Sequence, residues 1–336
     1  MLMTDSPNIL ISRCDSIGDV VLTLPMAGLI KAHFPKSRII FLGKTYTRDV
    51  VALSEYVDEF LNYDVLKHQP HEEQIAILKN LKADAILHVF PKKEIALLAE
   101  QAGILLRIGT LSRLYHWYTC NRKIHLPRKN SNLHEAQLNL KLLGPLGMNT
   151  NLQLSEITSY YGFSKVPELP EKFKTLIDKK RYNLILHPKS KGSAREWGLE
   201  NYQTLFELLP PDKYKVFVSG TKEDGEQIKD WIKLNPQVTD ITGTMSLKEF
   251  IAFIAACDGL VAASTGPLHI AAALGKTAIG LFAPMRPIHP GRWKPLGSKA
   301  HALVLDKKCS DCRKSNICHC IQEIEAQQVV DLLTIE

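Results

Sequence analysis

The feature that most limits what this chain can fold into is an alternation that runs through it twice. Short apolar runs of strand length, "NILISR", "RIIFLG", "DAILHVF" and "LLRIGT", are separated by longer segments with helical spacing at Val20 to Phe34, His71 to Lys82 and 134 to 147. Runs that stay apolar without alternating suit strands buried on both faces. Their regular exchange with helices is the pattern of a parallel sheet covered on both sides. From 148 to 170 the pattern fades into a stretch containing Pro167 and Pro170. It then restarts with "YNLILHP", "YKVFVSG", "GLVAAS", "TAIGLFA" and "HALVLD", with helices expected near 200–209, 223–234, 246–257 and 267–275 and a last one at about 323–334. The expected organisation is two doubly wound α/β domains, 1–160 and 161–336, with the last helix a candidate to pack back on the first domain.

At 336 residues and 45% apolar composition the chain can build two cores. Its 42 Lys and Arg against 35 Asp and Glu give +7, which favours an anionic partner. No run of like charge reads as a nucleic-acid tail. No apolar run approaches the roughly 18–20 residues of a membrane span. "MLMTDSPNILISRC" has no basic n-region, so no signal peptide is read and a cytoplasmic location is expected. Of seven cysteines, Cys14, Cys120 and Cys257 are scattered and Cys309, Cys312, Cys318 and Cys320 crowd into "CSDCRKSNICHC". An odd count in a chain of this kind argues against a disulfide framework.

Ligands of open α/β sheets bind beyond the carboxyl ends of the strands, so residues just after strands carry the functional information. In "ISRCDSIGDVVLTLP" Gly18 permits a tight turn and Asp19 stands where a helix should begin. The carboxylate either caps the helix or acts on a substrate, and no G-x-G-x-x-G accompanies it. In "LHPKSKGSAREWGLENYQTL" a strand ends at His187 and Pro188, and Lys189, Ser190, Lys191, Ser193 and Arg195 follow. Cations and hydroxyls there suit a phosphate; a solvated basic loop is the alternative, and Trp197 beside the cluster argues that the loop is fixed. In "AASTGPLHIAAALG" a strand ends in Ser264, Thr265 and Gly266, and Pro267 opens a helix. Free N–H groups and the positive end of the helix dipole make this an anion site in waiting, although both hydroxyls could equally cap the helix. His269 reads as a hydrogen-bonded structural histidine. The four crowded cysteines read as reduced thiols, with structural zinc as the alternative; the C-x-C half is tight for a zinc knuckle.

Together these stretches resemble glycosyltransferase family 9, the ADP-heptose:lipopolysaccharide heptosyltransferases. "SIGDVVLTLP", "HPKSKGSAREW" and "STGPLHIAAALGKTAIGLFAP" look like the family's three motifs, and "TGTMSLKEFIAFIAACDGLV", "HEAQLNLKLL" and the terminal cysteine loop extend the likeness over nearly the whole chain. The resemblance implies a GT-B architecture of two Rossmann-like domains facing a central cleft, the first for the acceptor and the second for a nucleotide sugar. It implies an inverting, metal-independent transfer of a sugar, heptose from ADP-heptose, to a lipopolysaccharide-core or related surface-glycan acceptor, with no cofactor. Asp19 aligns with the general base, and Lys191, Arg195, Thr265 and Gly266 with the groups that meet the leaving diphosphate. By the same resemblance Met245 packs on the base, Asp224 lies near the ribose, and Lys92 and Lys93, with Gly18, contact an anionic glycolipid or glycan acceptor, with peripheral contact at the inner membrane. Two positions depart from the family pattern. Ser264 stands where many members have aspartate, which bears on the identity of the sugar and nucleotide, and Arg195 stands where lysine is usual. A non-catalytic nucleotide-sugar or glycan-binding protein of the same fold is the alternative, and a nucleotide-sugar epimerase a third reading, disfavoured because only Asp19 is clearly placed for acid–base work.

Overall fold

A computed structural model describes residues 5–128, 131–307 and 318–333. The chain divides into two compact units, Met1–Lys165 and Val166–Glu336. The first holds the strands β1 (Asn8–Ser12), β2 (Arg38–Gly43), β3 (Glu59–Asn62), β4 (Ala85–His88), β5 (Leu106–Thr110) and β6 (Arg122–Ile124), in the order β3-β2-β1-β4-β5-β6. The second holds β7 (Tyr182–His187), β8 (Tyr214–Val218), β9 (Thr239–Asp240), β10 (Gly259–Ala263), β11 (Thr277–Phe282) and β12 (Ala300–Val304), in the order β12-β11-β10-β7-β8-β9. Every strand pair is parallel. Counted within each unit, both sheets follow the Rossmann order 3-2-1-4-5-6.

The central strands are the apolar ones because helices cover both their faces. Ile9, Leu10 and Ile11 of β1 and Leu184, Ile185 and Leu186 of β7 are wholly buried. The strands whose existence the sequence did not announce, β3, β6 and β9, lie at or beside sheet edges. Burial there is partial, and Glu59, Arg122 and Lys123 break the apolar signal.

Several helices are shorter than their periodicity suggests. The expected helix from Val20 to Phe34 is two, Ile17–Val21 and Pro25–His33, because Pro25 has no N–H to continue the first but fits the opening turn of the second. The segment 134–147 is helical at Glu135–Leu140 and tightens to a 3₁₀ form over Lys141–Leu146, which contains Pro145. Gly18 lies inside the helix Ile17–Val21 and outside the left-handed region, so it is not the turn glycine expected of it.

The first unit reaches past residue 160 for a packing reason. Ser54 donates to the Tyr161 carbonyl at 2.9 Å, Glu55 N–H donates to the Gly162 carbonyl at 2.8 Å, and Gly28 meets the Tyr160 backbone so closely that a Cβ would lie 2.2 Å from its oxygen. These contacts tie 160–163 to the first unit. The last helix, expected as a candidate to return to the first domain, packs in the second. It is two short helices, His319–Gln322 and Ala326–Val330, and Ile321, Ile324 and Val329 join Trp197, Tyr202 and Leu205 in one core. Trp197 fixes this arrangement by donating its indole N–H to the Ile324 carbonyl at 2.9 Å. Cys318 and Cys320 are buried in the same core; Cys309 and Cys312 lie outside the described residues.

Two buried histidines give each unit a pH dependence. Burial pushes His88, at the end of β4, down to about 3 and His187, at the end of β7, down to about 4. Neither ring nitrogen of His88 has a hydrogen-bond partner among the described residues. Below about pH 6.5 the unfolded chain binds a proton at each that the folded chain refuses. Stability is therefore complete above that pH and falls with acidification, by about 1.4 kcal/mol per unit for each histidine until the folded group titrates. Asp15, held up by burial, works in the opposite sense, so the readout is a difference. His88→Phe should lose clearly less denaturant stability between pH 7 and pH 5 than the wild type. Equal losses in the two proteins would show that His88 is not carrying the effect.

Candidate active site

In each sheet the switch point falls between the first and fourth strands, where successive connections leave in opposite directions. In the first unit these are β1 and β4, with Ser12 beside His88. The chain leaves β1 into Arg13, whose guanidinium is almost wholly buried yet contacts three carboxylates. Its Nε donates to Asp15 at 2.7 Å, one terminal nitrogen pairs with Asp19, and the other reaches Glu135 at 3.2 Å. Glu135 is only 1% exposed and also pairs with Arg128. Asn139 braces the group from behind, accepting from Arg128 at 3.1 Å and donating to the Leu22 carbonyl and the Thr23 hydroxyl, each at 3.1 Å.

Asp19 is therefore not used as a helix cap. The cap position is Ser16, which makes no side-chain cap bond. The Asp19 carboxylate instead accepts from the Ser16 hydroxyl and from Arg13, and its side chain keeps 19% of its surface open. Because Arg13 divides its charge among three acids, its hold on any one of them is diluted. At the neighbouring Asp15, burial outweighs the shared cation. Burial drives its carboxyl well above the usual range, Arg13 pulls against the shift, and Asp19 adds repulsion. An open carboxylate at a switch point, fixed in orientation by a buried cation, is suited to accept a proton from a bound hydroxyl.

Lys92 follows β4 but is not free: it lies 3.2 Å from Glu94 and 4.8 Å from the centre of the Tyr63 ring. Lys93 opens the helix Lys93–Gln101 and is exposed.

In the second unit the switch point lies between β7 and β10, where His187 is paired with Ala262. This register brings together the two stretches expected to bind phosphate. After β7 the loop makes a tight turn. Ser193 N–H donates to the Ser190 carbonyl at 3.0 Å, and Lys191 and Gly192 both take left-handed backbone angles, with φ of 49° and 79°. Turns of this kind can present successive N–H groups to an anion. Glu196 braces the loop from within, binding Lys189 at 2.6 Å and the Ser190 N–H at 3.0 Å. Lys189 thus holds the loop, Arg195 is half-buried, and Lys191 is exposed, 3.8 Å from Glu223.

After β10 the chain passes Ser264 and enters the helix Gly266–Ala273 through Thr265, with Pro267 in its first turn. Thr265 occupies the cap position without capping. Its hydroxyl is buried and has no partner among the described residues. A buried polar atom without a partner is costly, and here it sits where helix N–H groups and the dipole already favour negative charge. His269 is buried in the same helix. Asp224 is 5% exposed and forms a reciprocal cap with Thr221, accepting from its N–H and hydroxyl at 2.8 Å each, which accounts for an acid there without a ligand. Met245 is half-buried just before the helix Leu247–Ala256. Among the described residues no three His, Cys, Asp or Glu side chains gather as a metal site.

Sequence reasoning missed Arg13, Asp15, Arg128, Glu135, Asn139 and Glu196. Arg13 and Asp15 could have been suspected, since charge directly after a buried strand must be paired. The contribution of Glu135 and Asn139 comes from a helix far along the chain, and nothing local announces it.

Two Rossmann-like units, one with an open carboxylate at its switch point and one with an uncapped helix and a basic turn at its own, are the architecture of a GT-B glycosyltransferase. Residues 75–321 match the sequence model of glycosyltransferase family 9 (heptosyltransferase), and the chain belongs to that family. The lipopolysaccharide core heptosyltransferase OpsX of Haemophilus influenzae is 24% identical over 308 residues, covering 88% of this chain and 84% of the relative. Among solved structures, the fold is similar to Escherichia coli ADP-heptose LPS heptosyltransferase II, at TM-score 0.72, 19% identity and 97% coverage of each chain. It is similar also to a family 9 glycosyltransferase from Veillonella parvula, at TM-score 0.76, 18% identity, and coverage of 98% of this chain and 97% of the other.

Proposed function

We propose that this chain is an inverting glycosyltransferase that transfers heptose from ADP-heptose to a lipopolysaccharide-core acceptor without a metal ion. The observation that carries the reading is the orphan Thr265 hydroxyl at an uncapped helix N-terminus, set beside the basic turn after β7 at a switch point. That arrangement is finished for an oxyanion and unfinished without one. The donor and acceptor classes follow from relatives named for ADP-heptose and for the lipopolysaccharide core.

In the proposed reaction the acceptor oxygen attacks the anomeric carbon while the bond from that carbon to the diphosphate breaks. Asp19 takes the acceptor proton. The negative charge gathering on the diphosphate is met by the Thr265 hydroxyl, the helix N-terminus at Gly266, Arg195 and Lys191. Fixed dipoles and cations serve the role a divalent ion would otherwise fill. The chain has no Asp-x-Asp pair to hold such an ion against a diphosphate.

Thr265→Val gives a sharp expectation, because it keeps the shape and deletes the orphan hydroxyl. ADP affinity measured by calorimetry should fall about tenfold or more, matching about 1.5–3 kcal/mol for a hydrogen bond to a charged group. Thermal stability should hold or rise. Unaltered ADP affinity would remove Thr265 from the donor site.

The reaction itself is tested by incubating the protein with an acceptor and a panel of nucleotide sugars and following release of nucleoside diphosphate, with and without EDTA. ADP release from ADP-heptose that resists chelation is expected. Loss of release on chelation, restored by Mg²⁺ or Mn²⁺, would overturn the metal-free mechanism. Donor binding with no release from any sugar would mark a binding protein.

A further inference from the structure

Between Gln101 and Glu135 the chain carries no acidic residue, yet six cations fall there, Arg107, Arg113, Arg122, Lys123, Arg128 and Lys129. The same interval holds the most conspicuous exposed apolar group of the first unit. Leu114 is 86% exposed, Tyr118 61% and Trp117 60%, with Leu111 beside them. They lie on the loop after β5 and on the short helix His116–Thr119.

The exposure is built in. His116 and Thr119 of that helix are buried, Thr110 N–H donates to His116 Nδ1 at 2.9 Å, and Arg107 Nε donates to the Thr119 carbonyl at 2.6 Å. One face of the turn is anchored to the sheet, and the other holds aromatic and aliphatic side chains in solvent. Lys123 Nζ stands 5.8 Å from the Trp117 ring centre, and Arg113 and Arg122 are exposed.

We propose that Leu111, Leu114, Trp117 and Tyr118, rimmed by Arg113 and Arg122, form a docking surface for an anionic lipid bilayer. Tryptophan and tyrosine are amphipathic and favour the headgroup boundary. Arginines beside them gain from a negatively charged surface, and the segment that carries them contributes no acid of its own to oppose it. No helix among the described residues is long and apolar enough to cross a membrane. The surface projects from the carboxyl end of β5, two strands from β1 in the sheet whose same end carries Asp19. The inference extends the reading above, taking the lipopolysaccharide-core acceptor to be lipid-linked, and rests on it for its biological sense.

The full-length protein is sedimented with vesicles of phosphatidylethanolamine and phosphatidylglycerol, and separately with phosphatidylcholine vesicles. The wild type should bind the anionic vesicles selectively. Leu114→Gln with Trp117→Gln should weaken binding about tenfold or more. Arg113→Gln with Arg122→Gln should weaken it about fivefold per charge at low salt and erase the lipid preference. Near-UV circular dichroism checks that both variants fold. Equal binding of all proteins, or no lipid preference in the wild type, would overturn the proposal. So would variants that convert a dimer to a monomer in the ultracentrifuge without altering vesicle binding, which would mark a self-association face. Transfer to a soluble, deacylated core oligosaccharide should be unchanged in both variants. A protein that binds vesicles but transfers nothing keeps this inference and loses the functional reading, and one that transfers but ignores vesicles does the reverse.

Discussion

Replacing Asp19 by alanine should lower turnover by about 10²–10⁴, the usual worth of a positioned general base, and leave ADP affinity within twofold. Asp19 lies in the first unit, and the groups assigned to the donor belong to the second. Its carboxylate is bound by Arg13 and Ser16 and caps no helix, so the loss should not be a folding effect. Removing an interaction made only in the transition state lowers kcat and kcat/KM together. Asp19→Asn, which preserves the shape and keeps an acceptor for Arg13, should be nearly as inactive. Near-normal turnover in either variant would return Asp19 to a purely structural role and place the general base on another residue.

Arg13→Met should destabilise the first unit by roughly 3–5 kcal/mol, the cost of breaking a buried ion pair from one side. The reason lies in the company Arg13 keeps. It is 3% exposed, Glu135 is 1% exposed, and Asp15 and Asp19 share the same guanidinium. Without the cation these carboxylates repel one another in a poorly solvated site. Hydrogen exchange is the suitable measurement, because it reads the two units separately: protection should fall across residues 5–165 and persist in the second unit. Arg13→Met with Glu135→Leu should recover part of the loss, since deleting both partners leaves less unpaired charge buried. Unchanged protection in the single variant would mean that the acids have other means of neutralisation.

How much of this was legible beforehand follows from how far each signal reaches along the chain. The buried central strands could be read almost to the residue, β2 as "RIIFLG" and β7 as "YNLILHP", one residue longer than the strand itself, because a strand covered on both faces must be largely apolar. The positions of Asp19 and of the Thr265 to Pro267 turn were likewise visible, since a parallel α/β sheet places function just past its strands. The edge strands β3, β6 and β9 escaped notice because half-exposed backbone tolerates charge, whereas the edge strand β12 was read from "HALVLD". The helix breaks at Pro25 and Pro145 were written in the sequence but overridden by periodicity.

The sequence by itself determined the layered α/β class, the two-unit plan and the segments from which a site could be made. Each of these depends on local spacing and on which residues avoid water. Tertiary structure alone decided how those segments are used. It set Arg13 against Glu135 across 122 residues of chain, tied Lys189 to Glu196, and drew the last helix into the second core around Trp197. It also left the Thr265 hydroxyl buried without a partner and Trp117 out in water. Partnership and exposure are relations between distant segments, fixed only when the sheet order brings strand ends together, and a linear pattern of residue types carries no record of them.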